Sequence, residues 1–182
     1  MLKLRVMAQR FVEIKDGREV WRFPGSKYKA TSVWGEIRKK KEKVEWQRLV
    51  WTSMVVPKHV VISWMATLNR LPTKDRMKNW GIEVDEECIL CKEGKESRDH
   101  KFFTCRFSKS IWKRVLTLCG LQREVLSWVE ELNWAIKKLK GKSLISKVLM
   151  ISWNAYIYYV WRERNCRLFK HKEETEEKIL SI

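Results

Sequence analysis

Residues 88–105 read CILCKEGKESRDHKFFTC. Three of the chain's five cysteines and one of its three histidines fall in these eighteen residues. Their spacing is C-x2-C-x8-H-x4-C, through Cys88, Cys91, His100 and Cys105. A C-x2-C turn lets two thiolates grip one ion from a tight knuckle, and Gly94 lets the chain reverse after it. Ser97 then caps a short helix over residues 98–104 that presents His100 and ends at Cys105. Three sulfurs and one imidazole make a closed tetrahedral shell with no position open to substrate. The spacing therefore predicts one structural Zn2+ ion, not a catalytic one. Phe102 and Phe103, between the ligands, are expected to pin the loop to the core. Free cysteines beside a surface histidine are the plain alternative.

Away from this stretch the hydrophobic period is mostly helical. Glycine (7) and proline (3) are scarce, which favours helix over a sheet-and-turn architecture. The exception is the start of the chain. There apolar residues flank Asp16-Gly17, a hairpin-turn pair, and strands are expected near 10–14 and 19–23. Val33, Trp34 and Ile37 suggest a short helix, and Trp46, Leu49 and Val50 share a face of another. Pro57 suits the first turn of a third, with Val61, Met65 and Leu68 as its inner stripe and His59 exposed. Pro72 and Thr73 open a fourth, closed by Gly81. Beyond the cysteines, Ser108 reads as the N-cap of a helix carrying Ile111, Trp112, Val115 and Leu118. Val125, Val129, Leu132, Ile136 and Leu139 mark an amphipathic helix stopped at Gly141. Ser143 caps the longest helix, running to about residue 170. The tail EETEEK is expected to fray. The fold class is thus mainly α: a helical domain with an N-terminal β-hairpin and an embedded Cys3His zinc site.

Composition narrows the partners. The 182 residues include 39 Lys and Arg against 22 Asp and Glu, a formal charge of +17. Such an excess favours polyanions, most simply nucleic acid. The basic stretches offer Arg38, Lys39, Lys40 and Lys41, then Lys137 and Lys138, then Arg162, Arg164 and Arg167 as candidate phosphate contacts. Solvated helix faces are the alternative for each. The most apolar run, VLMISWNAYIYYVW (148–161), is too short to span a bilayer and reads as a buried core helix, so no membrane is expected. No secretory signal is visible in MLKLRVMAQRF. The expected compartment is intracellular, the nucleus included. In a reducing compartment, clustered cysteines indicate metal before disulfide. Cys119 reads as a small hydrophobe, and Cys166 and His171 as surface residues.

The segments VWTSMVVPKHVVISWMATLNRLPTKDRMKNWGI (50–82), CILC, ESRDHKFFTC and SKSIW (108–112) follow one another in a specific order. In that order the stretch from Trp34 to Cys119 resembles the reverse-transcriptase zinc-binding domain found near the C-terminus of plant non-LTR retrotransposon (LINE-type) polyproteins. VWRFPGSKYKATSVW (20–34) looks like its usual lead-in, and YYVWRERNCRLF (158–169) like the helix that commonly follows. The resemblance implies zinc ligands at Cys88, Cys91, His100 and Cys105. It also implies RNA or DNA as partner, with other retroelement proteins. It divides the chain into an N-terminal hairpin and lead-in (1–30), the zinc-binding domain (31–120), a helical extension (121–172) and an acidic tail (173–182). Polymerase chemistry needs a metal-binding Asp-Asp pair. The four aspartates, Asp16, Asp75, Asp85 and Asp99, are scattered, so no enzyme is expected. The leading expectation is a non-enzymatic zinc- and nucleic-acid-binding module of retroelement origin. The alternatives are a zinc-stapled protein-interaction scaffold and an inert retroelement remnant.

Overall fold

Asp16 and Gly17 both take positive φ, 52° and 75°. That is the backbone of a type I′ turn, whose twist matches the strands it joins. In the computed structural model, which describes residues 12–21, 42–139, 141 and 143–181, β1 (Val12–Lys15) pairs antiparallel with β2 (Arg18–Trp21), Lys15 opposite Arg18. The remainder of the expected strands, and the short helix expected around Val33, Trp34 and Ile37, lie outside the described residues. The chain divides into two compact units, Met1–Lys43 and Val44–Ile182, and the hairpin belongs to the first.

The second unit is helical. It contains α1 (Gln47–Val50), α2 (Pro57–Thr67), α3 (Lys74–Asn79), a π-helical turn (His100–Thr104), α4 (Arg106–Leu118), α5 (Trp128–Lys138), α6 (Leu144–Lys170) and α7 (Glu176–Leu180). The long α6 is its axis. Ser143 caps it by accepting a bond from the Ser146 amide, as expected. Trp153, Tyr156, Ile157, Val160 and Trp161 of α6 are all buried. An aromatic cluster forms around them. Phe103 lies 5.3 Å from Trp153 and 5.5 Å from Trp128, and Trp112 meets Trp153 edge to face at 5.6 Å. Such pairs add to the large area each ring removes from water.

Four expectations need correction. The buried face of α2 is His59, Val60, Ser63 and Ala66, while Val61 and Leu68 are exposed. This helix is apolar nearly all round, so its sequence does not fix which side turns inward. The small Ser63 and Ala66 face inward, where small side chains permit a close helix crossing. Second, α4 begins at Arg106 with Cys105 as N-cap, not at Ser108. Ser108 is buried, and its hydroxyl donates to the Lys101 and Cys105 carbonyls. Third, the buried face of α5 is wider than the expected stripe: Val125, Ile136 and Leu139 are buried and Leu132 packs on the core as expected, but Trp128 and Glu131 also turn inward and Val129 does not. Glu131 is drawn inward because it accepts from Trp112 Nε1 at 3.0 Å, the Leu126 amide at 2.8 Å and both terminal nitrogens of Arg123. Fourth, the acidic tail does not fray. Thr175 caps α7, Ile179 is buried, Ser110 donates to Glu176, and Arg114 reaches Glu177 at 3.2 Å. An acidic first turn suits the helix dipole, and here it also faces the cations of α4.

Candidate metal centre

The knuckle is built by backbone geometry. Lys92, at φ 57°, donates its amide to the Cys88 carbonyl at 2.7 Å. Gly94, at φ 67°, turns the chain back. The Cys88 amide then donates to the Gly94 carbonyl at 3.0 Å and the Glu96 amide to Glu86 at 2.7 Å, with a bridge between Glu87 and Lys95. Cys88 and Cys91 therefore stand on one tight loop, as the C-x2-C spacing predicts. On the other side, the Ser97 hydroxyl accepts the His100 amide at 3.1 Å. The turn that follows is wound as a π-helix, and the Cys105 amide donates to the His100 carbonyl at 2.7 Å.

These two pieces bring four donor atoms together. The three sulfurs and one imidazole nitrogen all lie within 4.8 Å of one another. His100 Nε2 is 3.3 Å from Cys91 Sγ, and Cys88 Sγ is 4.0 Å from Cys105 Sγ. A tetrahedron with Zn–S near 2.3 Å and Zn–N near 2.0–2.1 Å has edges of about 3.5–3.8 Å, so the donor set fits zinc. His100 Nδ1 lies 3.4 Å from the Thr104 hydroxyl, an outer partner that leaves Nε2 to face the sulfurs. The Cys105 partner first, and burial second, push the Cys88 thiol well above its ordinary range. The bond from Cys88 lowers Cys105. Burial raises Cys91 and lowers His100. A dication in such a cluster displaces the thiol protons, so binding releases protons and weakens at low pH.

Charged residues outside the donor set hold this loop in place. Glu96 and Lys101 are fully buried and Arg164 nearly so. Arg164 Nε donates to both Glu96 oxygens at 3.1 and 3.2 Å, and the Lys74 amide donates to Oε1 at 3.2 Å. Lys101 Nζ stands 4.0 Å from Glu96 and 3.9 Å from the centre of the Trp161 ring. Burial pulls its ammonium down to about 7 against the attraction of Glu96. Arg167 is buried too. It donates to Glu163 at 2.7 Å and to the Leu90 carbonyl, inside the knuckle, at 3.1 Å. Phe102 and Phe103 are fully buried and anchor the turn, as expected.

The candidate phosphate contacts separate. Arg38, Lys39, Lys40 and Lys41 lie outside the described residues. Lys137 and Lys138 are exposed at the last turn of α5, and Arg162 is exposed on α6. Arg164 and Arg167 are interior residues engaged with Glu96 and Glu163. The expectation that they meet phosphate is corrected. Their positions were readable, because 153, 157, 160, 164 and 167 repeat at helical spacing and put both arginines on the buried side of α6. His59 is another correction: it is buried, its ring centre 4.3 Å from that of Tyr158 and tilted against it.

Residues 28–112 match the family described as zinc-binding in reverse transcriptase. The match contains all four donor residues and supports a reverse-transcriptase zinc-binding domain in this part of the chain. No curated protein and no solved structure matches the sequence. Among the described residues, no helix is long and apolar enough to cross a membrane.

Proposed function

We propose that this chain is a non-catalytic, zinc-stapled module that binds nucleic acid, of non-LTR retrotransposon origin in plants. The observation that carries the metal part is the meeting of four soft donors within 4.8 Å. With Cys88, Cys91, His100 and Cys105 around one zinc ion, no coordination position is left for a substrate. When bound, zinc supplies a fixed crosslink between the knuckle and the π-turn. Apparent binding energies of structural zinc in small peptides are on the order of 10–16 kcal/mol at neutral pH. Here the helical core surrounds the loop, so the crosslink orders residues 85–107 rather than the entire unit.

The nucleic-acid part rests on the net charge of +17 and on exposed cations such as Lys137, Lys138 and Arg162. RNA or single-stranded DNA is the preferred target, since an element's machinery meets its own transcript. The test is native mass spectrometry together with a binding titration in increasing salt. The reading requires one zinc per chain, lost in Cys88→Ser and kept in Cys166→Ser. It also requires a salt slope of about 0.7 to 0.9 per phosphate contacted. Equal zinc in both variants refutes the metal assignment. Salt-insensitive or absent strand binding refutes the other half and favours a protein-interaction scaffold.

A further inference from the structure

A groove of about 420 Å³ opens where the start of α2 meets α4, α6 and α7. Its wall is largely apolar, with Met54, Val56, Ile151 and Leu180. Polar groups interrupt it, Ser152 and Tyr156 among them, and two of these bear on a ligand. His59 lines the groove, is 93 % buried, and its Nε2 has no hydrogen-bond partner. Tyr159 lines it too and is half-buried. Burial, then Lys58, lowers the His59 pKa, so its ring is neutral and can exchange hydrogen bonds in either sense.

Cations stand beside this wall. Lys58 Nζ lies 5.2 Å from the centre of the Tyr158 ring, and the Arg162 guanidinium 5.9 Å from that of Tyr159. The two tyrosines meet edge to face at 5.2 Å. Both cations are exposed, and among the described residues neither has a carboxylate partner. Two cations of α4 are by contrast matched, Lys113 with Glu124 and Arg114 with Glu177. Two unmatched cations, aromatic faces and an apolar slot thus stand together. A duplex offers phosphates but hides its bases. A helical peptide could fill the slot but would leave two cations facing nothing.

We infer that this groove receives an unpaired nucleotide of single-stranded RNA or DNA, with the base against Tyr159 and His59 and the flanking phosphates at Lys58 and Arg162. Stacking on aromatic rings is tolerant of sequence and selects unpaired strands. The His59 Nε2 supplies one hydrogen bond to a base edge or a ribose hydroxyl. The inference rests on the nucleic-acid reading above and gives it a place on the surface.

Fluorescence anisotropy with labelled oligo-U, oligo-dT and a DNA duplex tests it on the full chain loaded with zinc. Unmodified protein should prefer both single strands to the duplex. Tyr159→Leu with Tyr158→Leu should weaken single-strand binding at least ~5-fold and abolish that preference. Lys58→Gln with Arg162→Gln should reduce the salt slope on single strands by about 1.4, for two phosphates at about 0.7 each. Retained zinc and helicity in each variant exclude misfolding. If both pairs bind as tightly as the unmodified chain while Lys137→Gln with Lys138→Gln weakens binding, nucleic-acid binding stands and the groove assignment is overturned. If no strand binds at low salt, both fail. A dimer in light scattering that Met54→Glu splits would place a second copy in the groove and also overturn it.

Discussion

At the scale of single residues, the most consequential side chain is one that holds no metal. Arg164 neutralises Glu96, and both are buried. Removing one partner of such a pair leaves the other charged and unsolvated. Arg164→Met should therefore cost about 3–5 kcal/mol in urea unfolding, although methionine fills much of the volume. The double variant Arg164→Met with Glu96→Gln should recover part of that loss. Equal losses in the single and double variants would show that the pair is not coupled. His59 makes a pH prediction. Its folded pKa is lowered from 6.5 by burial and by Lys58, so the unfolded chain takes up the proton first. Its contribution is full above pH 6.5 and is lost as pH falls through the folded value. His59→Phe should flatten stability against pH in that window. An unchanged slope would mean that the ring titrates freely.

At the scale of elements, the readable parts were those whose signal is local. Asp16-Gly17 dictates its turn, Ser143 its cap, and the C-x2-C pair its knuckle, each through backbone chemistry within a few residues. The misread parts depend on distant partners. Which face of α2 turns inward is decided by α6, because α2 is apolar on several sides. The inward turn of Glu131 on α5 is set by Trp112 and Arg123, which lie outside that helix. The tail reads as acidic and unstructured until α4 provides Ser110 and Arg114. That docking is testable through its buried apolar anchor, Ile179, beside the half-buried Leu180. Ile179→Ala should cost about 2 kcal/mol and raise amide exchange across Glu176–Leu180 without changing zinc content. Protection unchanged in α7 would contradict the docking. Ser127 and Glu130 form a capping box at α5, and Ser127→Ala should cost about 1 kcal/mol.

At the scale of the whole molecule, the metal loop and the C-terminal helices are one packing unit. The family match ends at residue 112. Yet Phe103 packs on Trp153 and Tyr156, Glu96 is neutralised by Arg164, and Leu90 is held by Arg167. A fragment ending at 112 exposes those rings and takes Arg164 from Glu96, leaving only the more distant Lys101 to face its charge. It should show poor dispersion in amide correlation spectra even with zinc, while residues 44–182 should fold; a well-dispersed fragment would argue that the extension is dispensable. The donor set itself was legible in the sequence, since spacing alone picked out the four residues that the fold brings together. The arginine supports were missed because their charge drew attention toward phosphate and away from the helical period that places them inside. The central claim is a closed Cys3His zinc shell. It is tested most directly by X-ray absorption at the zinc edge on purified, metal-loaded protein. The account predicts three sulfur scatterers near 2.3 Å and one nitrogen near 2.0–2.1 Å, with no added water. A shell of oxygen and nitrogen alone, or a fifth light ligand, would contradict it.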